Sequence, residues 1–96
     1  MLHYVVHCLD RPGALADRLR LYDAHKAYLA AAPVRILVSG PLLAADGETM
    51  IGSFFLIEAD DRASVEAFNR NDPFRAGGIW AEVRIHPLLK RVDNRA

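Results

Sequence analysis

The chain has 96 residues, 52% of them hydrophobic and 25% charged, with 12 basic and 12 acidic side chains and a formal net charge of zero. That length makes one domain, residues 1–96, with a modest core. Zero net charge argues against nucleic acid or an anionic membrane as the main partner, and the single cysteine, Cys8, excludes an intrachain disulfide.

Leu2 to Leu9 is rich in strand formers, with Leu2, Tyr4, Val6 and Cys8 on one face and His3, Val5, His7 and Leu9 on the other. His3 and His7 sit in this apolar run and Asp10 with Arg11 follow at once, so it is no signal peptide. No apolar stretch reaches the roughly 18 residues of a membrane helix, which makes a cytoplasmic location the expectation. Asp10 to Gly13 is a turn into a long helix, Gly13 to Ala32, which Pro33 closes. Val34 to Val38 is a second strand, closed by Ser39-Gly40-Pro41. A hairpin turn follows at Asp46-Gly47. Met50 to Ala59 is the third and most apolar strand, which places it centrally; Gly52 marks a bulge or a close backbone approach. Asp60-Asp61 offers an N-cap for a second helix, Arg62 to Asn71, with a short core stripe of Val65, Phe68 and Asn69. Pro73 opens one further turn that ends at Gly77-Gly78. Ile79 to Leu88 alternates as a fourth strand: Ile79, Ala81, Val83 and Ile85 face one way, Trp80, Glu82, Arg84 and His86 the other. Lys90 to Ala96 is a polar tail.

This order, β-α-β-β-α-β, predicts an α+β, ferredoxin-like fold: a four-stranded antiparallel sheet with the helices on one face. The other face then carries apolar side chains of the Trp80 or Phe54 type, and the cheapest cover is a second copy of the chain. A homodimer is therefore expected.

The long helix contains the main functional signal. At about 100° per residue, Leu15, Tyr22 and Leu29 fall on one side, with Leu21, Tyr28 and Ala32 widening the stripe. Asp17, Arg20, Asp23 and Lys26 lie outside it or at its margin. Arg18 and His25 land near its centre, seven residues apart, so their side chains can reach one volume. Buried cations are costly unless paired. A carboxylate, a wet cavity or a ligand has to meet them.

Several motifs then occur in a set order: Asp10 at the end of the first strand, Arg18, His25 with Tyr28 and Leu29, Ser39 to Leu42, Ile51 to Ser53, and Asp72 to Phe74 followed by Ala76-Gly77. Together they resemble the YciI-like proteins, also called YCII-related domains, of the dimeric α+β barrel type. The resemblance covers nearly the whole chain. It implies a homodimer with a cleft near the helix-borne histidine and a His-Asp pair; some relatives are lyases acting on chlorinated or hydroxylated aromatic compounds. The family often carries Arg three residues before the histidine, where this chain has Tyr22.

His25 is the candidate proton-transfer group, because its reference pKa lies near operating pH. Asp72 either orients it, takes a proton itself or caps a helix. Asp10 has the same ambiguity and could instead pair with Arg18, which would hold an anionic oxygen. Ser39, Gly40, Pro41 and Ser53 leave room for a small ligand on neighbouring strands. His3, His7 and His86 match no metal-binding spacing, and there is neither a phosphate-binding glycine loop nor a G-x-S-x-G elbow. The expectation is acid/base chemistry without a cofactor on a small cyclic or aromatic molecule, lyase- or isomerase-like. The rival is a module that only sequesters such a molecule.

Overall fold

The computed structural model describes residues 2–95. Met1 and Ala96, the outermost residues of the expected 1–96 domain and tail, lie outside the described residues. The elements run β1 (Leu2–Asp10), α1 (Leu15–Ala30), β2 (Arg35–Leu43), β3 (Met50–Ala59), α2 (Arg62–Arg70), α3 (Pro73–Ala76) and β4 (Trp80–Leu88). The four strands form one antiparallel sheet in the order β2-β3-β1-β4. This is the α+β, ferredoxin-like arrangement, with the apolar β3 central as expected.

Alternation along β1 and β3 decides the two faces. Tyr4, Val6 and Cys8 pair across the ladder with Ile57, Phe55 and Ser53, and all six are buried. They form the core with Val65 and Phe68 of α2, Phe74 of α3 and Trp80. Val5, Leu9, Phe54 and Leu56 point the other way and are only half-buried. Gly52 is a close-approach glycine: a Cβ there would lie 2.3 Å from the Cys8 carbonyl oxygen. In the hairpin, Gly47 takes φ +72°. Asp46 Oδ1 accepts from Glu48 N–H at 2.8 Å and Thr49 N–H at 2.9 Å. Those bonds, with a further one from the Thr49 hydroxyl, hold the Asp46 carboxyl down at about 2.

Several boundaries differ from the sequence expectation. β2 runs on to Leu43, so Ser39-Gly40-Pro41 lies inside the strand instead of closing it. β2 is an edge strand, where the missing N–H of Pro41 is tolerated. The β1–β4 register shifts between Leu9 and Asp10, which pair with Glu82 and Trp80. This bulge interrupts the alternation and turns Trp80 into the helix layer, where it is 8% exposed. Trp80 is therefore core, and it is absent from the uncovered face assigned to it by strict alternation. α1 is shorter than Gly13 to Ala32 and α2 stops at Arg70, one residue early. Leu15 is 40% exposed, and the buried residues of α1 are Arg18 and His25. The helix stripe is thus centred on the polar pair, with Leu21, Tyr22, Tyr28 and Leu29 half-buried around it.

Candidate active site

β1 extends to Asp10, two residues beyond the buried Cys8, so the Asp10 carboxylate emerges on the helix side of the sheet. There it meets Arg18 from the first turn of α1. Arg18 Nε donates to Asp10 Oδ2 at 2.7 Å and Nη2 to Oδ1 at 2.8 Å, a bidentate pair. The same Nη2 donates to Ser53 Oγ at 2.8 Å. The Arg18 and Asp10 side chains are 2% and 7% exposed. Of the alternatives open to Asp10, pairing with Arg18 is the one the fold adopts.

Two turns later, His25 meets Asp72. Asp72 is the N-cap of α3, its Oδ1 accepting from Phe74 N–H at 2.9 Å. The same oxygen lies 2.8 Å from His25 Nδ1. Cap and orienter, two readings of Asp72 that the sequence leaves open, are thus one geometry. With a carboxylate as partner, Nδ1 is the donating nitrogen, and Nε2 is the one left for a ligand. Asp72 is fully buried, and its Oδ2 has no partner among the described residues.

An aromatic enclosure fixes the imidazole plane. The Phe74 ring stacks on His25 with centroids 3.9 Å apart and 9° between planes. Phe55 and Trp80 meet it edge-on at 6.3 and 6.5 Å. The Arg18 guanidinium carbon sits 4.6 Å from the centre of the same Phe74 ring. Nearby, burial, reinforced by the charge of Asp72, pushes the Tyr28 hydroxyl up, and it donates to Phe68 O at 2.7 Å. Cys8 lies fully buried in the same layer, where burial raises its thiol to about 12 and disfavours the thiolate.

Arg18 and His25 open onto one cavity of about 230 Å³. An engineered apolar cavity of about 150 Å³ is known to hold benzene, so a substituted ring fits the scale. Its other walls include Tyr22, Lys26 and Leu29 of α1, Ser39, Gly40 and Pro41 of β2, and Ser53 and Phe55 of β3. Recesses of similar volume occur elsewhere, so size alone singles out nothing. What distinguishes this one is an oriented imidazole beside a guanidinium. Asp10 and Asp72 do not line the cavity. They stand behind Arg18 and His25, each bonded to the side chain that does line it. Ser53 does line it, with its hydroxyl oxygen already accepting from Arg18. Arg18 Nη1 and His25 Nε2 make no hydrogen bond among the described residues.

Two residues of the site were not assigned to it from the sequence. Phe74 is visible there only as part of a turn motif. Lys26 falls at the margin of the helical stripe, yet it borders the cavity. Tyr22 lines the cavity too, and the Lys26 ammonium sits 4.7 Å from its ring centre. The signal for Lys26 was available: Tyr22 and Lys26 are four residues apart and flank His25. No group of His, Cys, Asp and Glu among the described residues could hold a metal ion.

The family model of the YCII-related domain matches residues 2–89. Protein YciI of Escherichia coli O6:H1 is 29% identical over 94 residues, covering 91% of this chain and 96% of that one. A solved structure of the 5-chloro-2-hydroxyhydroquinone dehydrochlorinase of Burkholderia phenoliruptrix AC1100, in complex with 2,5-dihydroxybenzoquinone, is 38% identical. It superposes with a TM-score of 0.80 over 88% of this chain and 90% of that chain. A NIPSNAP domain protein of Burkholderia xenovorans, 13% identical with a TM-score of 0.57 over the whole of both chains, shares the fold alone.

Proposed function

The chain belongs to the YCII-related domain family, and on that footing we propose that it is a small-molecule enzyme whose His25 moves a proton on a cyclic or aromatic substrate. The observation that carries this reading is the 2.8 Å bond from His25 Nδ1–H to Asp72, which leaves Nε2 on a cavity it shares with Arg18. Asp72 fixes the tautomer and the ring orientation and stabilises the imidazolium once a proton arrives. Arg18, its charge matched by Asp10, offers Nη1 to a substrate oxygen on which charge develops. Ser39, Gly40 and Pro41 form the side of the cavity that a ring would lie against.

Such an arrangement suits elimination or isomerisation, in which a proton leaves one atom of a ring while a leaving group departs or a double bond shifts. It needs no electron acceptor. The dehydrochlorinase of Burkholderia phenoliruptrix supports this class, since its solved complex holds an oxygenated ring. A second copy of the chain would cover the face that bears Val5, Leu9, Phe54 and Leu56, because the helices occupy only the other side. Light scattering at micromolar concentration should therefore give twice the monomer mass of 10.7 kDa.

The decisive measurement is turnover of 5-chloro-2-hydroxyhydroquinone, lactones and other hydroxylated rings by wild type and by His25→Gln. The glutamine amide can still donate to Asp72, so the fold should survive, while the rate falls roughly 10²–10⁴-fold. Unchanged turnover in a destabilised variant would refute the catalytic assignment. A ring that binds but is never converted would point to the sequestering module instead.

A further inference from the structure

Charge is unevenly distributed around the cavity. The Arg18 guanidinium is matched by Asp10 through two hydrogen bonds. The His25 imidazole is backed by the buried Asp72 through one. Arg18 and His25 are therefore each committed to an aspartate behind them, and neither offers an unshared positive charge to an ionised substituent on a ring.

One cation on the wall is in a different state. Lys26 borders the cavity next to His25 in sequence. Its nearest carboxylate, Asp23, lies 3.4 Å away with a side chain 98% exposed, and exposed pairs of this kind contribute little. The Tyr22 ring, also on the cavity wall, holds the ammonium over its face at 4.7 Å. Lys26 is thus held at the mouth without being neutralised.

We propose that Lys26 is the specificity-determining cation of this cavity, and that the ring it selects bears an ionised oxygen substituent, a carboxylate or an acidic enolate. The substituent lies at the mouth beside Lys26 and Tyr22, and the reacting part of the ring reaches inward to His25 Nε2 and Arg18 Nη1. This rests on the reading of the cavity as the substrate site.

The test is calorimetric titration of the whole protein with 2,5-dihydroxybenzoate and with hydroquinone, which share a ring and two hydroxyls and differ by one carboxylate. Wild type should bind the carboxylate-bearing ring more tightly, by up to roughly fivefold, as expected for one exposed charge pair, with the preference shrinking as salt is raised. Lys26→Met should abolish the preference while changing hydroquinone affinity far less, and Lys26→Arg should retain it. If Lys26→Met keeps the full preference, the assignment of Lys26 is overturned. In that case His25→Gln decides the rest: altered hydroquinone binding leaves the cavity reading standing, and unaltered binding removes it as well. Failure of wild type to bind either ring overturns both.

Discussion

The two aspartate-backed side chains of α1 look alike in outline and differ in what they leave free. Arg18 meets Asp10 with two parallel hydrogen bonds and gives a third to Ser53. His25 meets Asp72 with one bond, and that carboxylate oxygen is shared with the Phe74 N–H. The first pair is closed: charge is matched and only Nη1 is left over. The second is open, with an unpartnered carboxylate oxygen behind and an unbonded ring nitrogen in front. The closed pair anchors the helix to the sheet, whereas the open one holds a titratable group where a ligand can reach it. Both lean on one ring, that of Phe74.

If this contrast is right, removing each aspartate's charge should have opposite consequences. Asp10→Asn leaves the Arg18 cation buried without its counter-charge, and denaturant unfolding should show a loss of about 3–5 kcal/mol, the largest effect expected here. Asp72→Asn preserves an oxygen for the Phe74 N–H, so stability should fall by only about 1 kcal/mol. Its main effect belongs on turnover, through the same step as His25→Gln. The double variant Asp72→Asn with His25→Gln should then lose less rate than the product of the two single losses. A large stability loss from Asp72→Asn with unchanged rate would erase the distinction between the pairs.

Two smaller effects sharpen the comparison. Cys8, buried in the same layer with its thiol raised to about 12, should resist alkylation in the native protein and react fully after unfolding. Asp46 serves as an exposed control, since it holds only the hairpin turn. Its carboxyl is lowered from 3.8 to about 2, so its contribution is present above the ordinary carboxylate range and is lost as pH falls through about 2. Asp46→Ala should lower the melting temperature slightly at neutral pH, and the difference from wild type should vanish in strong acid.

The sheet was readable because Leu2–Leu9 divides into two faces and Met50–Ala59 is largely apolar. The burial of Arg18 and His25 was readable from helical spacing alone. Strict alternation failed at Trp80, because a bulge is a property of two paired strands and leaves no period in either. β2 outran its expected end because Ser-Gly-Pro is a turn signal in isolation, and only its pairing with β3 reveals an edge strand. Asp10 and Asp72 remained ambiguous for the same reason. A carboxylate at the end of a strand and one before a proline have many uses, and long-range partners select among them. Lys26 was legible as a charge but not as part of the site, since side-chain reach across a helix margin is set by tertiary packing.

The polarity of the buried face of α1 also bears on the order in which the molecule assembles. An isolated helix gains most of its stability from docking an apolar stripe, and here the residues that go deepest are an arginine and a histidine. Dehydrating them is favourable only after Asp10, Ser53 and Asp72 are already in position. Two of those acceptors lie on β1 and β3, strands that pair across some fifty intervening residues, as Leu2 with Ala59. The central β1–β3 ladder is therefore expected to form before α1 seats. Substitutions on the sheet-facing side of α1 should leave the refolding rate nearly unchanged and accelerate unfolding, the signature of a structure absent from the transition state.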